Sequence, residues 1–131
     1  MTVRHAACNC GKLAVSVRGE PVRISVCHCL ECQRRTGSVF GAQARFRTAD
    51  VEITGASTAW RRIADSGNAI TFHFCPTCGS TVYYLPEDQP GLVAVPVGAF
   101  ADPGFPAPWV SVYESRKHPW VGLPDDIEHL D

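Results

Sequence analysis

Apolar and polar residues alternate along most of this chain. Over Lys12–Arg18 the period of two sets Leu13, Val15 and Val17 on one face, and over Val39–Phe46 it aligns Phe40, Ala42, Ala44 and Phe46. Val22–Val26, Val51–Thr54, Thr58–Ile63, Ile70–Phe74, Thr81–Leu85, Leu92–Val97 and Trp109–Tyr113 are further short runs rich in branched and aromatic residues. Between them stand turn signals: Gly19-Glu-Pro21, Thr54-Gly55, Asp65-Ser-Gly-Asn68, Pro86–Gly91 and Asp102-Pro-Gly104. No long window carries a period of 3.6, and the best helical candidate is a single turn around Leu30–Arg35. Many short strands at even spacing predict an all-β fold of antiparallel, folded sheets. Five of the ten prolines fall between Pro96 and Pro119, which predicts an irregular C-terminal third.

Composition narrows this further. The 131 residues are one domain's worth of chain, with no internal repeat or low-complexity linker, so residues 1–131 are expected to form a single domain. An apolar fraction of 45% against 19% charged is that of a globular protein. A net charge of −1 argues against a dedicated nucleic-acid binder. The charge is uneven: residues 1–62 hold ten of the twelve basic residues and four acids, whereas the remainder is strongly acidic. A positive surface is therefore expected around Arg34, Arg35, Arg45, Arg47, Arg61 and Arg62. No segment is long and apolar enough for a membrane span, and no apolar signal core precedes the first cysteines, so no membrane association and a cytoplasmic location are expected. In that reducing setting seven cysteines are not expected to be disulfides.

The cysteines fall as Cys8-x-Cys10, Cys27-x-Cys29-x2-Cys32 and Cys75-x2-Cys78. In extended chain, residues i and i+2 project to one face, so Cys8 with Cys10, and Cys27 with Cys29, can reach one ion. Cys75-Pro-Thr-Cys78-Gly79 reads as a knuckle whose glycine can take positive φ just after the second ligand. Zinc takes four ligands at structural sites and three plus an open position at catalytic ones, and seven divides as four plus three. Spacing alone leaves the combination open. The economical partition keeps Cys27, Cys29 and Cys32 together and joins the two pairs, Cys8/Cys10 with Cys75/Cys78, into a closed tetrathiolate. Iron or an iron–sulfur cluster is compatible with all-cysteine ligation, but split sites suit zinc better. A thioredoxin-type motif lacks its βαβ context.

Three ordered stretches carry a resemblance. Cys8-Asn-Cys10-Gly11-Lys-Leu13, then Cys27-His-Cys-Leu-Glu-Cys-Gln-Arg-Arg-Thr-Gly-Ser38, then Phe74-Cys-Pro-Thr-Cys-Gly-Ser80 closely resemble the glutathione-dependent formaldehyde-activating enzyme family, a domain also found in centromere protein V. Val97-Gly-Ala-Phe100-Ala-Asp-Pro103 is similar to that family's Gly-Thr-Leu-Asp-x-Pro stretch, with Ala99-Phe100 replacing Thr-Leu. Pro108-Trp-Val and Lys117-His-Pro-Trp120 echo its C-terminal region. The resemblance implies an all-β, Mss4-like fold with two Zn²⁺ sites per chain: Cys8, Cys10, Cys75 and Cys78 as the structural tetrathiolate, and Cys27, Cys29 and Cys32 as the catalytic ligands. The implied activity is carbon–sulfur lyase or synthase chemistry, the condensation of glutathione with formaldehyde to S-hydroxymethylglutathione or a related reaction.

Within that expectation Arg34 and Arg35 are candidates to grip carboxylates of glutathione or a similar anionic thiol. His28 and Glu31 are the nearest proton carriers, but His28, between two ligands, is expected to point away into packing or supporting hydrogen bonds. Ser38 is read as a turn cap, and His5, His73, His118 and His129 as ordinary residues. Trp60, Trp109, Trp120, Tyr83 and Tyr84 are expected in the core or in pocket walls. The competing reading is a non-enzymatic, zinc-stabilised interaction module. A fourth protein ligand on the triple cluster would favour the module, and an open position beside a pocket the enzyme. A zinc-scaffolded methionine sulfoxide reductase needs a cysteine outside the clusters, and none remains.

Overall fold

A computed structural model describes residues 1–131. Strands β1 (Val3–Ala7), β2 (Ala14–Arg18) and β5 (Val51–Thr54) form a small antiparallel sheet in the order β1-β2-β5. An eight-stranded sheet holds β3 (Arg23–Cys27), β4 (Gly41–Arg47), β6 (Thr58–Ile63), β7 (Ala69–Phe74), β8 (Thr81–Pro86), β9 (Leu92–Pro96), β10 (Val110–Val112) and β11 (Glu128–His129). Its order is β11-β10-β3-β4-β9-β8-β7-β6. One short helix, α1 (Leu30–Thr36), links β3 to β4.

The alternation read from the chain explains the core. Ala6, Leu13, Val15 and Val17 from the small sheet meet Ile24, Ala44, Phe46, Val82, Val93 and Val95 from one face of the large one. These are period-two positions, so burying one face leaves the opposite face of β3, β4, β8 and β9 free to build something else. That opposite face carries Arg23, Ser25 and Cys27 on β3 and Gly41, Gln43 and Arg45 on β4, paired in register as Arg23↔Arg45, Ser25↔Gln43 and Cys27↔Gly41.

The sheets are antiparallel as expected except at one edge, where β10 runs parallel to β3 and β11 parallel to β10. The long proline-rich connection from Pro96 to Trp109 supplies the length that a parallel return requires. Strand β1 lies where no strand is predicted, since Val3–Ala7 carries Arg4 and His5 and little β-branched character; pairing with β2 makes it. None of the three tryptophans is in the core, Trp60, Trp109 and Trp120 being 51%, 49% and 73% exposed, but Trp60 lines a surface depression, the other place expected for it. Trp60 lies on edge strand β6 and stacks on Phe72 from outside, 6.0 Å between centroids. Tyr83 and Tyr84 are buried as expected.

Candidate metal centres and active site

The first centre is made by two turns of similar construction. After β1 the chain folds at Gly11 (φ 83°), with the Cys8 N–H donating to Leu13 O at 2.9 Å and the Leu13 N–H to Cys8 Sγ at 3.2 Å. After β7 it folds at Gly79 (φ 81°), with the Gly79 N–H on Cys75 O at 2.8 Å and the Thr77 N–H on Cys75 Sγ at 3.4 Å. A bond from the Asn9 N–H to Ser80 Oγ at 3.1 Å joins the two turns. All four sulfurs lie within 4.8 Å of one another. Cys8 and Cys10 are 3.6 Å apart and Cys10 and Cys75 3.7 Å. A tetrahedral ion with zinc–sulfur bonds of about 2.3 Å requires sulfurs about 3.8 Å apart, so the donor set and its spacing fit zinc. The Cys78 thiol is held down at about 5, first by the Ser80 hydroxyl, while Cys10 in the same cluster is raised to about 11.

The second centre sits where β3 runs into α1. Cys29 is the helix N-cap, and its Sγ accepts the Cys32 N–H at 3.3 Å; Gly37 closes the helix in the left-handed conformation, donating to Gln33 O at 2.8 Å. This single capped turn brings Cys27, Cys29 and Cys32 within 4.8 Å of each other, and no fourth His, Cys, Asp or Glu joins them. Hydrogen bonds from Cys27 and then Cys32 pull the Cys29 thiol down to about 2, while those from Cys29 and then Cys32 push Cys27 up. Gly41 lets the helix settle on β4, since a Cβ there would stand 3.2 Å from the Arg35 guanidinium and 3.5 Å from Cys32 Cβ.

The three cysteines open into a cavity of about 260 Å³ whose charged lining is four arginines, Arg23, Arg35, Arg45 and Arg62, against three acids, Glu31, Asp65 and Asp88. Arg35 lies over Phe72 and Tyr84, 4.9 and 5.1 Å from their ring centroids. Tyr113 also lines the cavity and packs against the cysteines from a left-handed backbone (φ 57°), a conformation a bulky residue adopts only when its surroundings hold it there.

The expected residues are thus partly assembled. Arg35 lines the cavity and Arg34 does not: Arg34 is exposed in a neighbouring shallow depression with Trp60 and Phe74, which Glu31 and Arg35 also border. Glu31 faces the cavity and His28 does not. His28 is fully buried on the opposite side of β3, its Nε2 2.8 Å from Ser111 Oγ, and burial lowers its pKa. Ser38 is a turn residue, its N–H bonded to Thr36 Oγ1 at 3.0 Å. Gln33 fastens the helix, donating to His28 O (2.9 Å) and Arg116 O (3.2 Å) while its Oε1 meets His118 Nε2 (3.0 Å). Sequence reasoning missed Arg23, Ser25, Gln43 and Tyr113 as cavity residues. For the first two a signal existed: Arg23-x-Ser25-x-Cys27 places them on one strand face with a cluster cysteine.

These features define a class: an all-β protein with two cysteine centres that can hold metal ions, one closed and one opening onto a basic cavity. The family model described as glutathione-dependent formaldehyde-activating enzyme matches residues 3–116, and the chain belongs to that family. No curated protein matches it by sequence. Among solved structures it is similar to the crystal structure of a Rhodobacter sphaeroides protein, with 22% identity and a TM-score of 0.59 over 78% of this chain and 90% of that one, a likeness of fold. No helix is long and apolar enough to cross a membrane.

Proposed function

We propose that the protein condenses glutathione, or a closely related thiol, with formaldehyde at the Cys27/Cys29/Cys32 centre, with zinc at both cysteine clusters. The observation that carries this reading is the open centre: three convergent sulfurs, no fourth protein ligand, and a basic cavity directly against them. The same observation disfavours the interaction-module alternative, which needs a closed site. Cys8, Cys10, Cys75 and Cys78 would hold the structural ion, and Cys27, Cys29 and Cys32 the catalytic one. Zinc bound there supplies a Lewis acid that favours the thiolate form of an incoming thiol.

The chain's own groups do the rest. Arg35, held flat over Phe72 and Tyr84, presents its guanidinium to a carboxylate of the substrate. Glu31 is the carboxylate nearest the cysteines in sequence among those lining the cavity, and it serves as the proton carrier. It receives the proton that leaves the thiol and returns one to the aldehyde oxygen as the carbon–sulfur bond forms, so the sum is addition of the thiol S–H across the carbonyl. The reverse reaction runs through the same groups. Titration calorimetry of zinc-loaded protein with glutathione tests the site: wild type binds, and Cys29→Ala, folded but lacking the second metal, does not. Equal binding by the two would place the thiol elsewhere.

A further inference from the structure

The wall of the cavity farthest along β3 from the cysteines is unlike an ordinary protein surface. Arg23 and Arg45 stand directly opposite each other on β3 and β4, on the same sheet face as Cys27. Like charges so paired repel. The ionisation of Arg23 is indeed pushed down by burial and then by Arg45. Neither has a carboxylate within 4 Å, as the ion pairs of the structure belong to Arg4, Arg61 and His129. Between this pair and the cysteines lies Gln43, itself buried, whose Nε2 donates to Ser25 Oγ at 2.6 Å. Its Oε1 is buried without a partner, and so is the Nε of Arg45.

A repulsive, half-buried arginine pair with one orphaned donor beside an orphaned acceptor is a site lacking its ligand's atoms. We propose that Arg23 and Arg45 form an anion subsite that takes a carboxylate of the substrate remote from its sulfur, while Gln43 Oε1 accepts an N–H from the chain between. The substrate class is then a peptide-like thiol bearing a distal carboxylate. Cys27 and Arg23 are four residues apart on β3, about 13 Å between Cα atoms. That span exceeds the reach of a single amino-acid thiol and suits an extended peptide one. This inference rests on the thiol-binding reading of the cysteine centre, and a ligand without a free thiol separates the two.

The probe is S-methylglutathione, which keeps both carboxylates and the amide groups but cannot present a thiol. Binding to zinc-loaded protein is measured by calorimetry for wild type, Arg23→Gln, Arg45→Gln and Arg18→Gln, the last an exposed control on β2. Wild type binds, Arg23→Gln and Arg45→Gln weaken binding roughly tenfold or more, and Arg18→Gln does not. The diethyl ester of S-methylglutathione, which also loses the carboxylate assigned to Arg35, binds wild type more weakly than the acid binds either variant. Removing one member of a repelling pair leaves the ligand-free melting temperature unchanged or higher, so lost binding is not lost folding. Equal affinity across the variants, or no binding by wild type, overturns the proposal. Binding with the expected arginine dependence but no turnover of glutathione with formaldehyde would uphold the anion subsite and overturn the proposed reaction.

Discussion

Replacing one cysteine in each centre separates their roles. Cys75 is 1% exposed and belongs to the main core, against Leu13, Val15 and Val82, and its cluster ties the turn after β1 to the turn between β7 and β8. A structural zinc site contributes on the order of 10 kcal/mol to folding. That matches the whole stability of an ordinary domain, about 5–15 kcal/mol, so Cys75→Ala is expected to unfold the protein or abolish soluble expression. Cys29 belongs to a separate small cluster with Val112 and Tyr113 beside it. Its loss removes the cap on the Cys32 N–H, worth about 1 kcal/mol, and a buried sulfur worth a similar amount. For a chain of this length about 2 kcal/mol lowers the melting temperature by roughly 6–10 °C. Circular-dichroism melts with metal analysis of each variant provide the assay. Cys29→Ala retains the fold and one metal, and Cys75→Ala retains neither. If the two melt alike, or Cys29→Ala is the one that unfolds, the division into structural and catalytic centres is wrong.

Other outcomes follow from the same geometry. Elemental analysis of purified protein should find up to two zinc ions per chain, and one iron per chain or no zinc would refute zinc as the metal of these centres. Gln33→Ala breaks the ties from α1 to His28 and to the C-terminal segment. It should therefore lower the melting temperature and raise the KM for glutathione more than it lowers kcat. His129 lies 2.7 Å from Glu114, which raises the histidine's pKa and helps lower the carboxylate's, the latter after a larger effect of Ser111. The histidine's contribution is full below about pH 6.5 and lost as pH rises through its raised pKa; the carboxylate's is present above about pH 4.5 and lost as pH falls through its lowered one. His129→Gln should thus cost stability at pH 5.5 and not at pH 8.5, as thermal melts at the two pH values will show; an equal loss at both would remove the pair from the account.

Most strands were legible because a buried sheet face forces alternation, as in Leu13, Val15 and Val17. The single turn of α1 was legible from Leu30–Arg35 and extends only to Thr36. The two cysteine centres were legible because thiols at such spacings have few other uses, and the economical partition is the one whose sulfurs converge. What escaped depends on long-range pairing. Strand β1 exists because β2 lies beside it, and β10 lies parallel to β3 because a loop returns it there. The cavity escaped for a different reason. Polar residues on alternate positions of a strand look the same whether they face bulk water or a hollow, so Gln43 and Arg45, on a strand without a cysteine, gave no local sign of which. Arg34 and Arg35 are adjacent in sequence, yet helical geometry sends only Arg35 into the cavity.

The central claim is a reaction at the three-cysteine centre, and magnetisation exchange between ¹³C-formaldehyde hydrate and S-hydroxymethylglutathione in solution measures it directly. The exchange rate should rise in proportion to added zinc-loaded wild-type protein and stay at the uncatalysed value with Cys29→Ala. A fully zinc-loaded wild type that leaves the rate unchanged would contradict the account.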